Sequence, residues 1–302
     1  MHSRYPWTAP NLGGKENAAL FSIGSMGLRI PLALHPLLLS SDIALSVYRC
    51  FEYPKELSIE LIDDIKSTLR TENTKNVVFD LRIHNWTDAG HFQGIRHLAL
   101  ILREYCCEME INAATILSNG KHFIGTALGV YPEILEANSV LGGIGPPDLT
   151  KFILEIGAEF LLMRGRSSQK HDAKKWLRDR IIEGELSVSA PEILGQDVSS
   201  LARVKKHKIY SSEKGYVHHL DMDALRSFKS GPASFHPMIG LSLSKRPGDW
   251  LDAGTELLEV FLPENMELPI KGKSLEKIYI LSDNPPEHQP FILERFPLKM
   301  PE

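Results

Sequence analysis

Two helix-then-strand units in direct succession constrain this chain more than any other feature. Ile59, Ile62, Ile65 and Leu69 recur at helical spacing in PKELSIELIDDIKSTLRTEN, and the β-branched run NVVFDLRI follows at once. FQGIRHLALILREYCCEME repeats the helical pattern and INAATILS the strand. Strands that are apolar on both faces belong in a parallel sheet covered by helices, with right-handed crossovers between successive strands. The expected fold class is therefore α/β, a mixed sheet flanked by helices.

Upstream, residues 12 to 34 read as a glycine turn, a short amphipathic helix carrying Ala18, Ala19, Phe21 and Ile23, and a buried strand around Leu28 to Leu34. Downstream, PDLTKFILEIGAEFLLMRG and QKHDAKKWLRDRIIEGEL read as helices, with Asp148 suited to the first turn of the former and Gly165 and Gly184 as stop signals. From about Ala190 the texture changes to short strands and turns. The expected division is residues 1–189 as an α/β domain and 190–302 as a C-terminal β-rich, barrel-sandwich-like lobe and tail.

Composition narrows the class of function. Hydrophobic residues make up 43% and charged residues 24%, the balance of a globular chain. A formal net charge of -4 and a single short basic run, RVKKHK, read as a solvated turn, argue against nucleic acid. The three cysteines, two of them the vicinal Cys106 and Cys107, lack disulfide-framework and zinc spacing and fit a reducing compartment. IPLALHPLLL is interrupted by Pro31, His35 and Pro36 and falls short of the roughly 20 apolar residues a membrane helix needs. MHSRYPWTAP has no signal-peptide pattern, so the expected location is cytoplasmic.

Between Ile124 and Leu149 runs IGTALGVYPEILEANSVLGGIGPPDL, glycine-rich yet apolar. With the helix after it, this stretch resembles the segment of pyrimidine-nucleoside (thymidine) phosphorylases that reads G-N-A-L-E-V, then L-x-G-x-G-P-x-D-L. NVVFDLRIHNWTDAGHF is similar to that family's D-V-K-x-G-S-G-A-F-M, and ATILSNGKHFIG to its T-x-M-D-x-P-L-G. In the C-terminal part, GYVHHLD and KRPGDWLDAGTELLEV resemble G-Y-V-x-x-I-D and K-x-G-D-x-V-x-x-G-x-L. The shared order covers about residues 75 to 262. The resemblance implies an anion cleft beside the glycines of GTALGV and LGGIGPP, with a strand entering Gly125 next to the strand of Val77.

The family's reaction is attack of phosphate on the anomeric carbon of a pyrimidine nucleoside, and it needs an anion cradle, donors for the departing base and domain closure. The family's K-H-S-T-G-G-x-G-D-K motif corresponds to NLGGKENAAL, which makes Gly13, Gly14 and Lys15, with the neighbouring donor Ser22, the candidate phosphate-binding residues. Its base-site motif R-D-V-T-A-T-V matches SDIALSV with Ser41 in place of the arginine. S-I-x-S-K-K corresponds to LIDDIKSTLR, with Asp63 or Asp64 at the serine and Lys66, the one catalytic candidate, beside the lysine position; periodicity alone makes Lys66 a surface residue. Gly129 replaces the glutamate of G-N-A-L-E-V, a ligand of a monovalent cation in the family. No counterpart of the family's N-terminal helical domain is recognised, and its helical insertion is reduced to about residues 36–70.

His84, His91 and His97 with Asp80 and Asp88 match no metal-ligand spacing, and HHLDMD at His218 reads as framework, so neither metal nor cofactor is expected. Cys106 and Cys107 sit in a helical pattern and read as packed. No Gly-x-Ser-x-Gly, phosphate loop or dinucleotide fingerprint is present. The expected function is pyrimidine-nucleoside phosphorylase-like pentosyl transfer, with phosphorolysis altered or lost. Two alternatives stand beside it: a catalytically inactive binding or regulatory subunit, and a glycosyl or phosphoribosyl transferase with another acceptor. Expected partners are phosphate or a sugar phosphate, a pyrimidine nucleoside, and a protein that supplies the missing helical domain.

Overall fold

The computed structural model of the chain describes residues 7–8, 16–23, 28–51, 59–84, 88–188, 204–267 and 272–296. Its first sheet is built on β2 (Glu16–Ile23), β3 (Ile43–Phe51), β4 (Asn76–Ile83) and β5 (Asn112–Asn119), all mutually parallel in the order β3-β2-β4-β5. Short β1 (Trp7–Thr8) and C-terminal β13 (Ile292–Phe296) close the two edges antiparallel, β1 on β3 and β13 on β5. Side chains alternate across these strands. Ala18, Leu20, Val78, Ala114 and Ile116 face a layer of helices α1 (Arg29–Leu39), α4 (Val130–Leu141), α5 (Pro147–Met163) and α6 (Lys170–Glu183). Ala19, Phe21, Val77, Phe79 and Leu81 face α2 (Ile59–Thr71) and α3 (Ala89–Glu108). The chain leaves β2 through α1 to β3 on one side, then crosses by α2 to β4 on the other side of β2. Crossovers of one hand running in opposite directions put α1 and α2 on opposite faces.

The first α/β unit reverses the expectation from its sequence. Residues 16–23 are a strand, not an amphipathic helix, and Leu28 to Leu34 lead into and form helix α1, not a strand. Both segments are buried on all sides: Ala18, Ala19, Leu20 and Phe21 are fully enclosed, as are Leu32 to Leu34 and Leu37. An apolar run without a polar face has no period to separate strand from helix. Pro31 is accommodated because it falls in the helix's first turn. The stretch read as a reduced helical insertion, about residues 36–70, holds the end of α1, strand β3 and most of α2.

The C-terminal part carries two antiparallel sheets around a third core of Val217, Leu241, Leu251, Leu258 and Val260. One has the order β6-β9-β11-β7, from Ala127–Leu128, Gly240–Leu243, Glu256–Pro263 and Val204–Tyr210; the other has β10 (Trp250–Leu251), β8 (Gly215–Leu220) and β12 (Tyr279–Ser282). Three short helices accompany them, α7 (Met222–Ser230), α8 (Pro232–Phe235) and α9 (Gly272–Glu276). Two expectations fail here. The strand after Gly125 is β6, paired with β9 and not with the strand of Val77, whose neighbours are β2 and β5. Residues 204–208 of the basic run lie in strand β7, where Lys206 and Lys208 pair with Glu259 and Glu256 of β11. Among the described residues, no helix is long and apolar enough to cross a membrane.

Candidate functional site

In an open parallel sheet the carboxyl ends of the strands converge on a crevice where the strand order reverses direction. Here that point lies between β2 and β4, and four polar residues buried within the sheet, Ser22, Asp80, Arg82 and Ser118, lie at or next to it. Ser22 near the end of β2 stands in register with Asp80 of β4, and Arg82 with Ser118 of β5. All four lie on the α5 side, two or four residues beyond Leu20, Val78 and Ile116. The Asp80 carboxylate accepts hydrogen bonds from Ser118 Oγ at 2.9 Å and Arg82 Nε at 3.1 Å. The Arg82 guanidinium lies 5.8 Å from the centre of the Phe152 ring, and its side chain is only 4% exposed. Among the described residues, its terminal amino groups have no partner. Ser22 is fully buried, and among the described residues its hydroxyl has no hydrogen-bond partner.

Neighbouring elements border these strand ends. His84, one residue past β4, receives Arg226 Nη2 of α7 at 3.0 Å, which brings a C-terminal helix to the carboxyl end of the sheet. Asn119 at the end of β5 donates to Gln289 at 3.3 Å.

The start of α1, a natural anion site, is already filled from within. Glu133 accepts from the backbone N–H groups of Leu28, of Arg29 at 3.2 Å and of Gly129 at 3.0 Å. Burial pushes the Glu133 carboxyl up, against the pull of Arg29 and Lys229. Arg29 donates to the Ala127 carbonyl, lies 3.8 Å from Glu136 and rests 4.5 Å over Phe123. Glu136 in turn accepts from Thr126 Oγ1 at 2.7 Å and Ala127 N at 3.2 Å. This network ties α1, α4 and β6 together.

The other sequence-chosen positions fall elsewhere. Gly13, Gly14 and Lys15 lie outside the described residues. Lys66 is on α2, on the opposite face of the sheet from Ser22, with its ammonium 5.0 Å from the Tyr105 ring; it lines a surface hollow with Asp63, Ser67, Arg70 and Thr71. Asp63 and Asp64 are exposed. Ser41 is buried just before β3, at the amino ends of the parallel strands and thus far from Ser22 along the strand direction. Gly129 has φ +107°, and a Cβ there would stand 2.6 Å from the Ile239 carbonyl oxygen and 2.7 Å from Gly240 Cα, so glutamate has no room in this backbone.

Sequence reasoning weighed Asp80 only as a metal ligand and passed over Arg82 and Ser118. Among the described residues, no group of three His, Cys, Asp or Glu is placed to hold a metal. The signal was Asp80-x-Arg82, two charges at alternate positions of an otherwise apolar strand. A second signal was GSMG, Gly24 to Gly27, which links strand β2 directly to helix α1 in sequence; its own placement lies outside the described residues.

No protein-family model matches the chain. It is 25% identical over 170 residues to the pyrimidine-nucleoside phosphorylase of Staphylococcus haemolyticus, covering 49% of this chain and 39% of that protein. A protein of the same name from Geobacillus stearothermophilus is 25% identical over 183 residues, 55% of this chain and 42% of its own length. The thymidine phosphorylase of Mycobacterium tuberculosis is 23% identical over 251 residues, 79% of this chain and 58% of the relative. The chain thus spans between about two fifths and three fifths of these relatives, and its homology to pyrimidine-nucleoside and thymidine phosphorylases is weak and partial.

Proposed function

We propose that this chain binds phosphate or a pentose 1-phosphate at the carboxyl ends of β2 and β4, and takes part in pentosyl transfer to or from a pyrimidine nucleoside. In that reaction a phosphate oxygen bonds to the anomeric carbon as the carbon–nitrogen bond breaks and the base leaves with the bonding pair. The observation that carries the reading is the Ser22 hydroxyl, fully buried and, among the described residues, without a partner at the point where strand order reverses. A buried hydroxyl in that state is costly unless a ligand completes it. The names of the relatives support phosphate and a nucleoside as the reactants.

A second reading, a binding subunit without its own base site, draws on a specific observation: Ser41 and Lys66, at the base-site positions of the resemblance, are both remote from Ser22. A partner would then supply the base-binding groups. Thermal denaturation in phosphate against chloride at equal ionic strength tests the phosphate site, because a ligand that binds only the native state raises Tm. Absence of any phosphate-dependent rise refutes it. Release of thymine or uracil from thymidine or uridine with phosphate, by the purified chain alone, decides for the enzyme over the binding subunit.

A further inference from the structure

The same site holds a carboxylate where a pure anion receptor has none. Asp80 is fully buried and stands in register beside Ser22; its two oxygens accept one hydrogen bond each, from Ser118 and Arg82. A carboxylate offers about four acceptor positions, so two remain. Among the described residues Arg82 is the one cation paired with it, and the pair is neutral overall. A fully ionised ligand would meet the two open Arg82 amino groups and the Ser22 hydroxyl, but also the lone pairs of the Asp80 carboxylate. A ligand that carries its own proton turns that repulsion into a hydrogen bond.

Resting on the phosphate-site reading above, we infer that Asp80 and Arg82 make this a site for a protonated tetrahedral oxyanion, a phosphate or phosphomonoester, and exclude sulfate. Arg82 provides the planar pair of donors suited to two oxygens of one oxyanion. Ser22 donates to a third oxygen. Asp80 accepts from the P–OH group, and Ser118 positions Asp80. Phosphate and its monoesters carry a titrating proton near neutral pH, whereas sulfate carries none. Sulfate therefore offers only acceptors to Asp80, and selectivity comes from a repulsive element as well as attractive ones. A site built around one such hydrogen bond rejects the analogue that lacks it by large factors.

Titration calorimetry with inorganic phosphate and with sulfate, near neutral pH and at matched ionic strength, tests the inference on the unmodified chain. The expected result is phosphate binding at least about 100-fold tighter than sulfate. In Asp80→Asn the ratio is expected to fall to about tenfold or less, chiefly through tighter sulfate binding. Equal affinity of the unmodified chain for the two ions overturns the role of Asp80 while leaving the phosphate site intact. Binding of neither ion removes the phosphate site itself and this inference with it. Should Asp80→Asn fail to fold, the ratio in the unmodified chain still decides.

Discussion

Replacing Ser22 with alanine separates a ligand-binding hydroxyl from a merely buried one, because both predict a gain in stability without ligand but only the first predicts a weakened response to phosphate. The hydroxyl is fully enclosed and, among the described residues, unpartnered, a state that costs about 1–3 kcal/mol. Alanine removes one oxygen and leaves a void of about 10 Å³, which costs roughly 0.2 kcal/mol at ~24 cal/mol per Å³. Ser22→Ala is therefore expected to stabilise the protein in chloride by about 1–2 kcal/mol, a rise of about 2–3 °C in Tm. In phosphate at about 100 times Kd, the unmodified chain gains about 2.7 kcal/mol. Loss of one donor to a charged group weakens binding by about 1.5–3 kcal/mol, so the variant's gain falls to about 0.3–1.3 kcal/mol under the same conditions. Differential scanning calorimetry of both proteins in both buffers reads the two effects together. A variant less stable than the parent by more than about 1 kcal/mol in chloride, with its phosphate response intact, would falsify the assignment of Ser22.

Further outcomes follow from the backbone and the charge network. Gly129→Ala combines a left-handed φ with contacts under 3 Å to the backbone of Ile239 and Gly240, so it is expected to cost about 3–5 kcal/mol in urea unfolding. Gly254→Ala, at φ +88° with nothing within 4 Å, isolates the conformational cost at about 1–2 kcal/mol; equal losses for the two variants would show that β6 and β9 do not approach so closely. Asp148 accepts from the Gly125 N–H at 3.2 Å and pairs with Arg246 at 2.8 Å and His122 at 3.5 Å. Burial pushes its carboxyl up, but His122 and Arg246 outweigh burial and hold it below the ordinary value of 3.8. A depressed carboxyl contributes stability that is full above its unfolded pKa and lost as pH falls through the folded one. Asp148→Asn should therefore cost about 2 kcal/mol at pH 7, and the gap to the parent should narrow only below pH 3.8; a gap that widens in acid contradicts the pairing.

Most of the α/β layering was legible in the chain. Helices α2, α3, α5 and α6 lie where the periodicity and the glycine stops put them, and β4 and β5 coincide with NVVFDLRI and INAATILS. The resemblance to pyrimidine-nucleoside phosphorylases, drawn from ordered short motifs, agrees with the partial homology of the relatives. The identities of β2 and α1 were exchanged because each is enclosed on every side, so solvent imposes no polar face from which a period can be read.

The candidate site was far less legible, for a different reason. Residue type brought Ser22 forward, but its nearness to Asp80 depends on β2 and β4 lying side by side although β3 comes between them in sequence. Likewise Arg82 meets Ser118 only through the register of β4 and β5, and Glu133 fills the start of α1 from more than a hundred residues away. Local pattern, charge and turn chemistry determined which segments are helices or strands wherever one face meets water. Strand order, register and the crossing of Ala127–Leu128 into the second sheet were decided by non-local hydrogen bonds and packing, which settle only when the whole chain closes on itself.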